Sequence, residues 1–311
     1  MPEAFTDPRF HDEKAAREHL ELIRWPHGRV CPHCEATEHI CSIESQSNGK
    51  RQGARPGLLF CGDCRQQFTV TVGTVFEHSK VPLHKWVLAT HLLCSSKKGM
   101  SSHQLHRILG VTYKTAWFMT HRIREAMKTD HSYQLGDIGP VEVDETFVGT
   151  KPGAKKRRGY AHKNAVLSLV ERDGEVRSFH VHSVSAKTLK PILQEQITPY
   201  AHLMTDDAGQ YRLIGPEFAY HETVNHSKGE YVRGDAHTNT VESFFSILKR
   251  GLIGTYHHVG AQHLQRYVTE FDFRYNYRSK LGFNDSMRTA AALKGISGKR
   301  LTYRRTDQKM Q

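Results

Sequence analysis

The sequence predicts an α/β protein: a mixed sheet with flanking helices, preceded by a small cysteine-held module and a short helical region. Three observations point there. Two Cys-x-x-Cys pairs, Cys31/Cys34 and Cys61/Cys64, stand in the first quarter of the chain. Residues 82–128 carry apolar side chains at helical spacing. From about residue 138 the apolar period falls to two, and strand-like runs then alternate with helix-like ones.

Bulk properties frame these elements. At roughly 100–200 residues per domain, 311 residues suggest two or three domains. The apolar set is 38% of the chain and charged residues 24%, with a mean hydropathy of −0.59. That composition suits a soluble protein with a real core. No apolar run reaches about 18 residues, and the start Met-Pro-Glu-Ala-Phe-Thr-Asp has neither a basic nor an apolar stretch. A membrane span and a secretory signal are therefore not expected, and a reducing, cytoplasmic location is. Lys and Arg number 44 against 32 Asp and Glu, a net charge of +12. Such a balance favours a polyanionic partner.

Taken in order, residues 1–30 predict a helix with Ala15, Leu20, Leu22, Ile23 and Trp25 on its apolar face. Asp12 caps it, and Pro26-His27-Gly28 stops it. Residues 31–80 hold both cysteine pairs and short β-like runs at Leu58–Phe60 and Phe68–Val72, with a polar loop over Glu44–Gly57. A CxxC turn places two thiolates on one metal, and two such turns complete a tetrahedral shell. Although 26 residues separate the pairs, a structural zinc at Cys31, Cys34, Cys61 and Cys64 outranks a redox pair, which would need one CxxC in a βαβ setting. His33 and His39 are weaker candidate ligands, and Cys41 and Cys94 read as ordinary thiols.

Residues 81–132 predict three helices. The last two, from Ser101 and from Lys114, are joined by Gly110-Val111-Thr112 in a helix-turn-helix pattern. Residues 133–280 predict strands at Val141–Val148, Ala165–Val170 and Val176–Val184, the last two closed by an Arg172–Glu175 turn. A helix over Lys187–Ile197, strands at His202–Thr205 and Ala219–Val224, a helix capped by Asn239, and a helix over Ala261–Arg278 follow. Residues 281–311 read as a basic tail.

Three acids stand out by placement. Asp144 lies inside the first strand, Asp206 directly follows an apolar strand, and Glu242 sits in a helix's first turn. Such acids can converge on one sheet edge and hold two Mg²⁺ or Mn²⁺ ions roughly 3.5–4 Å apart, one activating a water or 3′-hydroxyl and the other stabilising the leaving oxygen. Each also has a plain structural reading, as an edge-strand polar residue or a helix cap. Glu145 and Asp207 leave the assignment ambiguous by one position, since alternation puts only one of Asp144 and Glu145 on the active face.

The 35 residues between Asp206 and Glu242 resemble the spacing of DDE transposases and integrases. More specific strings begin at Val143 (Val-Asp-Glu-Thr-Phe-Val-Gly), Thr223 (Thr-Val-Asn-His-Ser-Lys-Gly-Glu-Tyr-Val-Arg), His237 (His-Thr-Asn-Thr-Val-Glu-Ser-Phe-Phe) and Gly254 (Gly-Thr-Tyr-His-His-Val). With the Phe68–Trp86 segment, they resemble ISXO-type bacterial insertion-sequence transposases over roughly residues 30–280. The resemblance implies an RNase H-like catalytic domain behind a zinc ribbon. It selects Asp144, Asp206 and Glu242 as catalytic acids with two Mg²⁺ or Mn²⁺, and it implies cytoplasmic, nucleoid-associated action on transposon ends and target DNA. A homodimer or higher oligomer on DNA, and no membrane partner, go with it.

Candidate DNA contacts come from the basic residues. The segment Lys151–Lys163 holds six Lys or Arg and no acid, so Lys155, Lys156, Arg157 and Arg158 are expected on phosphates. Lys114, Arg122 and Arg124 lie on the third helix of the helical region, with His121 beside them, and Lys249 and Arg250 lie on the Glu242 helix. Arg274 and Arg278 are further candidates beside a core pair, Phe271 and Tyr275. Two rival readings are a non-catalytic zinc-ribbon DNA-binding regulator and a hydrolytic nuclease without strand transfer. Metal-dependent strand cleavage separates the first from a transposase, and joining separates the second.

Overall fold

The computed structural model describes residues 6–43, 55–155, 158–225, 229–230 and 232–302. The chain forms two compact units, one of residues 1–96, 100–127 and 284–311, the other of residues 97–99 and 128–283.

In the first unit, helix α1 (Glu13–Arg24) starts where the Asp12 carboxylate accepts the Ala15 N–H at 2.7 Å. It buries Ala16 and Leu20, whereas Leu22, expected on its apolar face, is exposed. Strands β1 (Ile40–Ser42), β2 (Leu59–Cys61) and β3 (Gln67–Phe68) form an antiparallel ribbon. The strand expected over Phe68–Val72 ends at Phe68, because the Val72 N–H turns back to the Thr69 carbonyl and the Thr74 N–H to Thr71. Helices α2 (Leu83–Ser95), α3 (Ser102–Leu109) and α4 (Tyr113–Ala126) follow. Gly110 ends α3 at φ +60°, a left-handed cap that glycine adopts without strain. Thr112 then caps α4 through the Thr115 N–H.

The second unit is built on β4 (Val141–Val148), β5 (Asn164–Glu171) and β6 (Val176–Val181), followed by α5 (Ala186–Gln196), β7 (His202–Asp206), α6 (Gly209–Ile214) and β8 (Tyr220–Val224). Short strands β9 (Val232–Arg233) and β10 (Ala236–His237) lead into α7 (Asn239–Gly254) and α8 (Leu264–Asn276). The five-stranded sheet has the order β6-β5-β4-β7-β8, with β5 antiparallel to β4 and β6, and β4, β7 and β8 parallel. It is a mixed sheet, as its sequence pattern predicts. Alternation sorts its side chains into two cores. Val141, Val143, Leu167 and Leu169 pack on Leu189 and Leu193 of α5 and on Tyr211 and Ile214 of α6. On the other face Val148, Val166 and Val170 pack on Phe244 and Leu248 of α7 and Phe271 of α8.

The chain then returns to the first unit. Helix α9 (Asp285–Lys294) packs on α2, where Thr289 Oγ1 lies 3.1 Å from His91 Nδ1 and Arg288 donates to the Cys94 carbonyl. Just beyond α9, the Gly298 N–H donates to the Gly73 carbonyl at 2.9 Å. Residues 285–294, read from sequence as part of a basic tail, are thus a helix with a buried face of Arg288, Thr289, Ala292 and Leu293. Among the described residues, no helix is long and apolar enough to cross a membrane.

Candidate active site and metal centre

Cys31, Cys34, Cys61 and Cys64 come together with their sulfurs all within 4.8 Å. Cys31 and Cys64 are 3.6 Å apart, and Cys34 and Cys61 are 3.7 Å apart. Tetrahedral Zn–S bonds of about 2.3 Å would set neighbouring sulfurs about 3.8 Å apart, so the donor set fits zinc. Burial alone would raise the Cys31 thiol. The backbone N–H groups of His33 and Cys34 and the neighbouring thiols outweigh it and bring Cys31 down to about 7, toward the thiolate a metal needs. His39 lies outside this set, its Nδ1 paired with Asp63 at 3.0 Å. Neither Cys41 nor Cys94 is in a disulfide; the first is exposed and the second buried.

Asp144 lies in the middle of β4, and Asp206 ends β7. Parallel pairing of β4 with β7 sets Val141 opposite Leu203 and Glu142 opposite Met204. Two residues further along each strand come Asp144 and Asp206. Alternation turns Asp144 to the α7 face with Glu142, and Glu145 to the α6 face, where Gln210 donates to it at 3.3 Å. Burial pushes the Asp144 carboxyl up to about 8. The Glu145 N–H works against this, while the charges of Glu145, Asp206 and Glu242 add to it. Glu145 is raised to about 7, mainly by burial, with Asp206 adding. Asp206 receives the Ala208 N–H at 3.1 Å, whereas Asp207 is engaged by the Asn225 amide at 2.7 Å. Glu242 is exposed on the first turn of α7. Among the described residues these carboxylates do not close into a tight cluster as the cysteines do.

What holds α7 in place is Glu142, which sequence patterning does not single out. Its fully buried carboxylate accepts the Thr240 N–H at 2.8 Å, the Thr240 hydroxyl at 2.8 Å and the Val241 N–H at 3.0 Å. Arg172 donates to it at 2.7 Å and also holds the Asp235 and His237 carbonyls. The cap expected at Asn239 is not there. Thr238 is the N-cap and makes no capping bond to a backbone N–H of the first turn, and Asn239 opens that turn. A carboxylate 98 residues away supplies the missing acceptor.

Residues 137–276 match the family model described as the ISXO2-like transposase domain. Residues 11–67 match the transposase zinc-ribbon domain. The chain is 32% identical over 288 residues to a Halobacterium salinarum protein described as an uncharacterized protein in transposable element ISH50, covering 85% of this chain and 91% of that one. The chain belongs to the ISXO2-like transposase family. In this transposase, the ribbon match takes in α1 as well as the cysteines, and the transposase-domain match runs through β4, where Asp144 sits, to the end of α8.

The expected DNA contacts divide in two. Lys114, Lys155, Arg158, Lys249 and Arg250 are exposed. Lys156 and Arg157 lie outside the described residues. Arg124 is a correction: at 1% exposure it is a core residue, and it donates to Thr120 Oγ1. Arg122 is another, since it is held by the Leu301 and Glu77 carbonyls and lies over Phe118. His121, on the same side of α4, is buried too. Beyond Lys114 in its first turn, the α4 face read as basic and outward is instead packed. Arg274 is buried in an ion pair with Glu270, and the partly exposed Arg278 donates to the Gly174 carbonyl and covers Tyr275.

Proposed function

We propose that this transposase binds the ends of an insertion sequence, cuts the DNA there and joins the 3′-hydroxyl ends to target DNA. The observation that carries the reading is the electrostatic coupling of Asp144 to Asp206 and Glu242, brought from β4, β7 and α7. The mixed sheet with helices on both faces supports an RNase H-like reading of the catalytic domain. Asp144, whose ionisation is held back by burial and by the charges of Glu145, Asp206 and Glu242, belongs to a donor set that a hard dication relieves. Asp144, Asp206 and Glu242 would hold Mg²⁺ or Mn²⁺, which when bound polarises the scissile phosphate and lowers the pKa of the attacking hydroxyl or water. The residues themselves fix direction. Glu142 pins the first turn of α7, the turn that carries Glu242, to the strand that carries Asp144. In the first reaction water attacks the phosphodiester and frees a 3′-hydroxyl. In the second that hydroxyl attacks a target phosphodiester and expels its 3′-oxygen.

The ribbon and the α3–α4 pair, read as a helix-turn-helix, recognise the ends, with Lys114 outward on α4. Lys155 and Arg158, with Lys156 and Arg157 between them, and Lys249 and Arg250 supply phosphate contacts without base information. Joining two ends to one target calls for two or more copies on the DNA. The test is a labelled duplex of the element's own end incubated with purified protein. Cleavage and joining with Mg²⁺, abolished by EDTA, are expected. Tight end binding with no cleavage in Mg²⁺ or Mn²⁺ would establish the regulator reading instead.

A further inference from the structure

A cavity of about 510 Å³ opens beside Glu145 in the second unit, along the outer half of β4. Its walls are of two kinds. Phe147, Val148, Leu252 and Leu264 make an apolar floor. Tyr160, 59% exposed, stands over it and stacks on Phe147 with ring centroids 4.6 Å apart and planes 5° from parallel. Lys163 places its ammonium 5.4 Å from the Tyr160 ring centre. Lys249, His257 and His258 line another side, and the His257 backbone is held at φ +57°, an unfavourable setting for a non-glycine residue. An ordinary apolar ligand has no use for two lysines. A nucleic-acid base on its phosphate uses both walls: an aromatic platform for the ring and cations for the backbone. The size agrees with small-ligand sites, which run from about 300 to 1,000 Å³. Phe147 lies three residues beyond Asp144, about 10 Å along the strand and on its opposite face, but Val148 and Lys249 line the cavity from the Asp144 side, and a nucleotide near a phosphate at the acids enters from there.

We propose that this cavity takes one unpaired nucleotide flanking the cleavage position, its base against the Phe147–Tyr160 stack and its phosphate between Lys163 and Lys249. The inference rests on the transposase reading and adds a step to it: the duplex end is opened before or during cutting. Unstacking a base costs a few kcal/mol, least where the pair is already mismatched. The experiment compares affinities, by fluorescence anisotropy without divalent cation, for a paired end duplex and for duplexes with one mismatch moved along the end. Wild type is expected to bind about five- to tenfold tighter when the mismatch flanks the cleavage position, and no tighter when it lies elsewhere. Tyr160→Phe should keep that preference and Tyr160→Ala should lose it. Equal wild-type affinity for paired and mismatched ends, or a preference unchanged by Tyr160→Ala, overturns the pocket while leaving end binding intact. Absence of binding to any end duplex overturns the transposase reading itself, and the pocket with it.

Discussion

The Glu142 carboxylate sits between Arg172 of the β5–β6 turn and the Thr240 and Val241 N–H groups of α7, with no exposed surface of its own. Removing it leaves a positive group and two helix-terminal donors without their acceptor. Glu142→Ala is therefore expected to destabilise the protein by about 3–5 kcal/mol, as loss of one partner of a buried ion pair does, measured by urea unfolding. Glu142→Gln keeps the shape and a carbonyl acceptor, and should cost about 1–2 kcal/mol. A second residue-scale outcome concerns Asp272 on α8, which accepts the Ser178 N–H and hydroxyl at 2.9 and 2.7 Å. Burial raises its carboxyl to about 8, and the two Ser178 bonds only partly offset this. Unfolded, an Asp titrates at about 3.9. Below that value both states are protonated and the contribution is full. Between about 4 and 8 the unfolded chain releases a proton that the folded one keeps, so stability falls as pH rises, by up to about 1.4 kcal/mol per unit, and the contribution is gone above 8. Asp272→Asn should flatten that part of the stability profile measured from pH 5 to 8. An unchanged slope would show that Asp272 ionises normally in the fold.

At the scale of elements, the ribbon depends on its metal. With only three short strands and most of β1 exposed, it has little core of its own. Metal analysis should give about one zinc per chain, and Cys61→Ser should lose it and open the segment to protease. Retention of full zinc by that variant would contradict the four-cysteine centre. A CxxC turn is local, so both pairs are visible in the sequence, and so are Asp12 before α1 and the alternation of β4. Helix starts held from a distance are not. α2 begins where Glu13 of α1 accepts the Leu83 and His84 N–H groups at 2.9 and 3.2 Å, and α7 where Glu142 does the same for Thr240 and Val241. In both cases the acceptor is some 70 or more residues away, and reading Asn239 as the cap follows from looking only next door. The basic stripe of α4 fails for a related reason. Arg122 and Arg124 are spent on internal carbonyl and hydroxyl oxygens, which a tally of charges along a helix cannot register. α9 has a local signal, an Asn284 side chain accepting from the Met287 N–H and a stop at Gly295, but it lies beyond the stretch of family resemblance.

For the whole molecule, a net charge of +12 makes affinity for DNA general unless specific contacts add to it. Neutralising Lys155, Lys156, Arg157 and Arg158 together should weaken binding to all duplexes and lower the salt dependence, by about one unit of slope for each phosphate that is no longer neutralised. Weakening confined to the specific end, with the slope unchanged, would assign that loop to base recognition. The function proposed above requires that acids from two strands and one helix act as one centre. They act together, so Asp144→Asn, Asp206→Asn and Glu242→Gln should each abolish cleavage and joining while end binding survives, and double variants should be little worse than singles. Glu145, one residue along β4 but on the α6 face, provides the internal control. The deciding assay is Mg²⁺-dependent strand transfer on a labelled end by Asp144→Asn and Glu145→Gln proteins side by side, at equal end occupancy. Strand transfer by Asp144→Asn should fall about a thousandfold or more, with Glu145→Gln within about tenfold of wild type. Wild-type strand transfer by the Asp144→Asn protein would rule out a shared carboxylate centre.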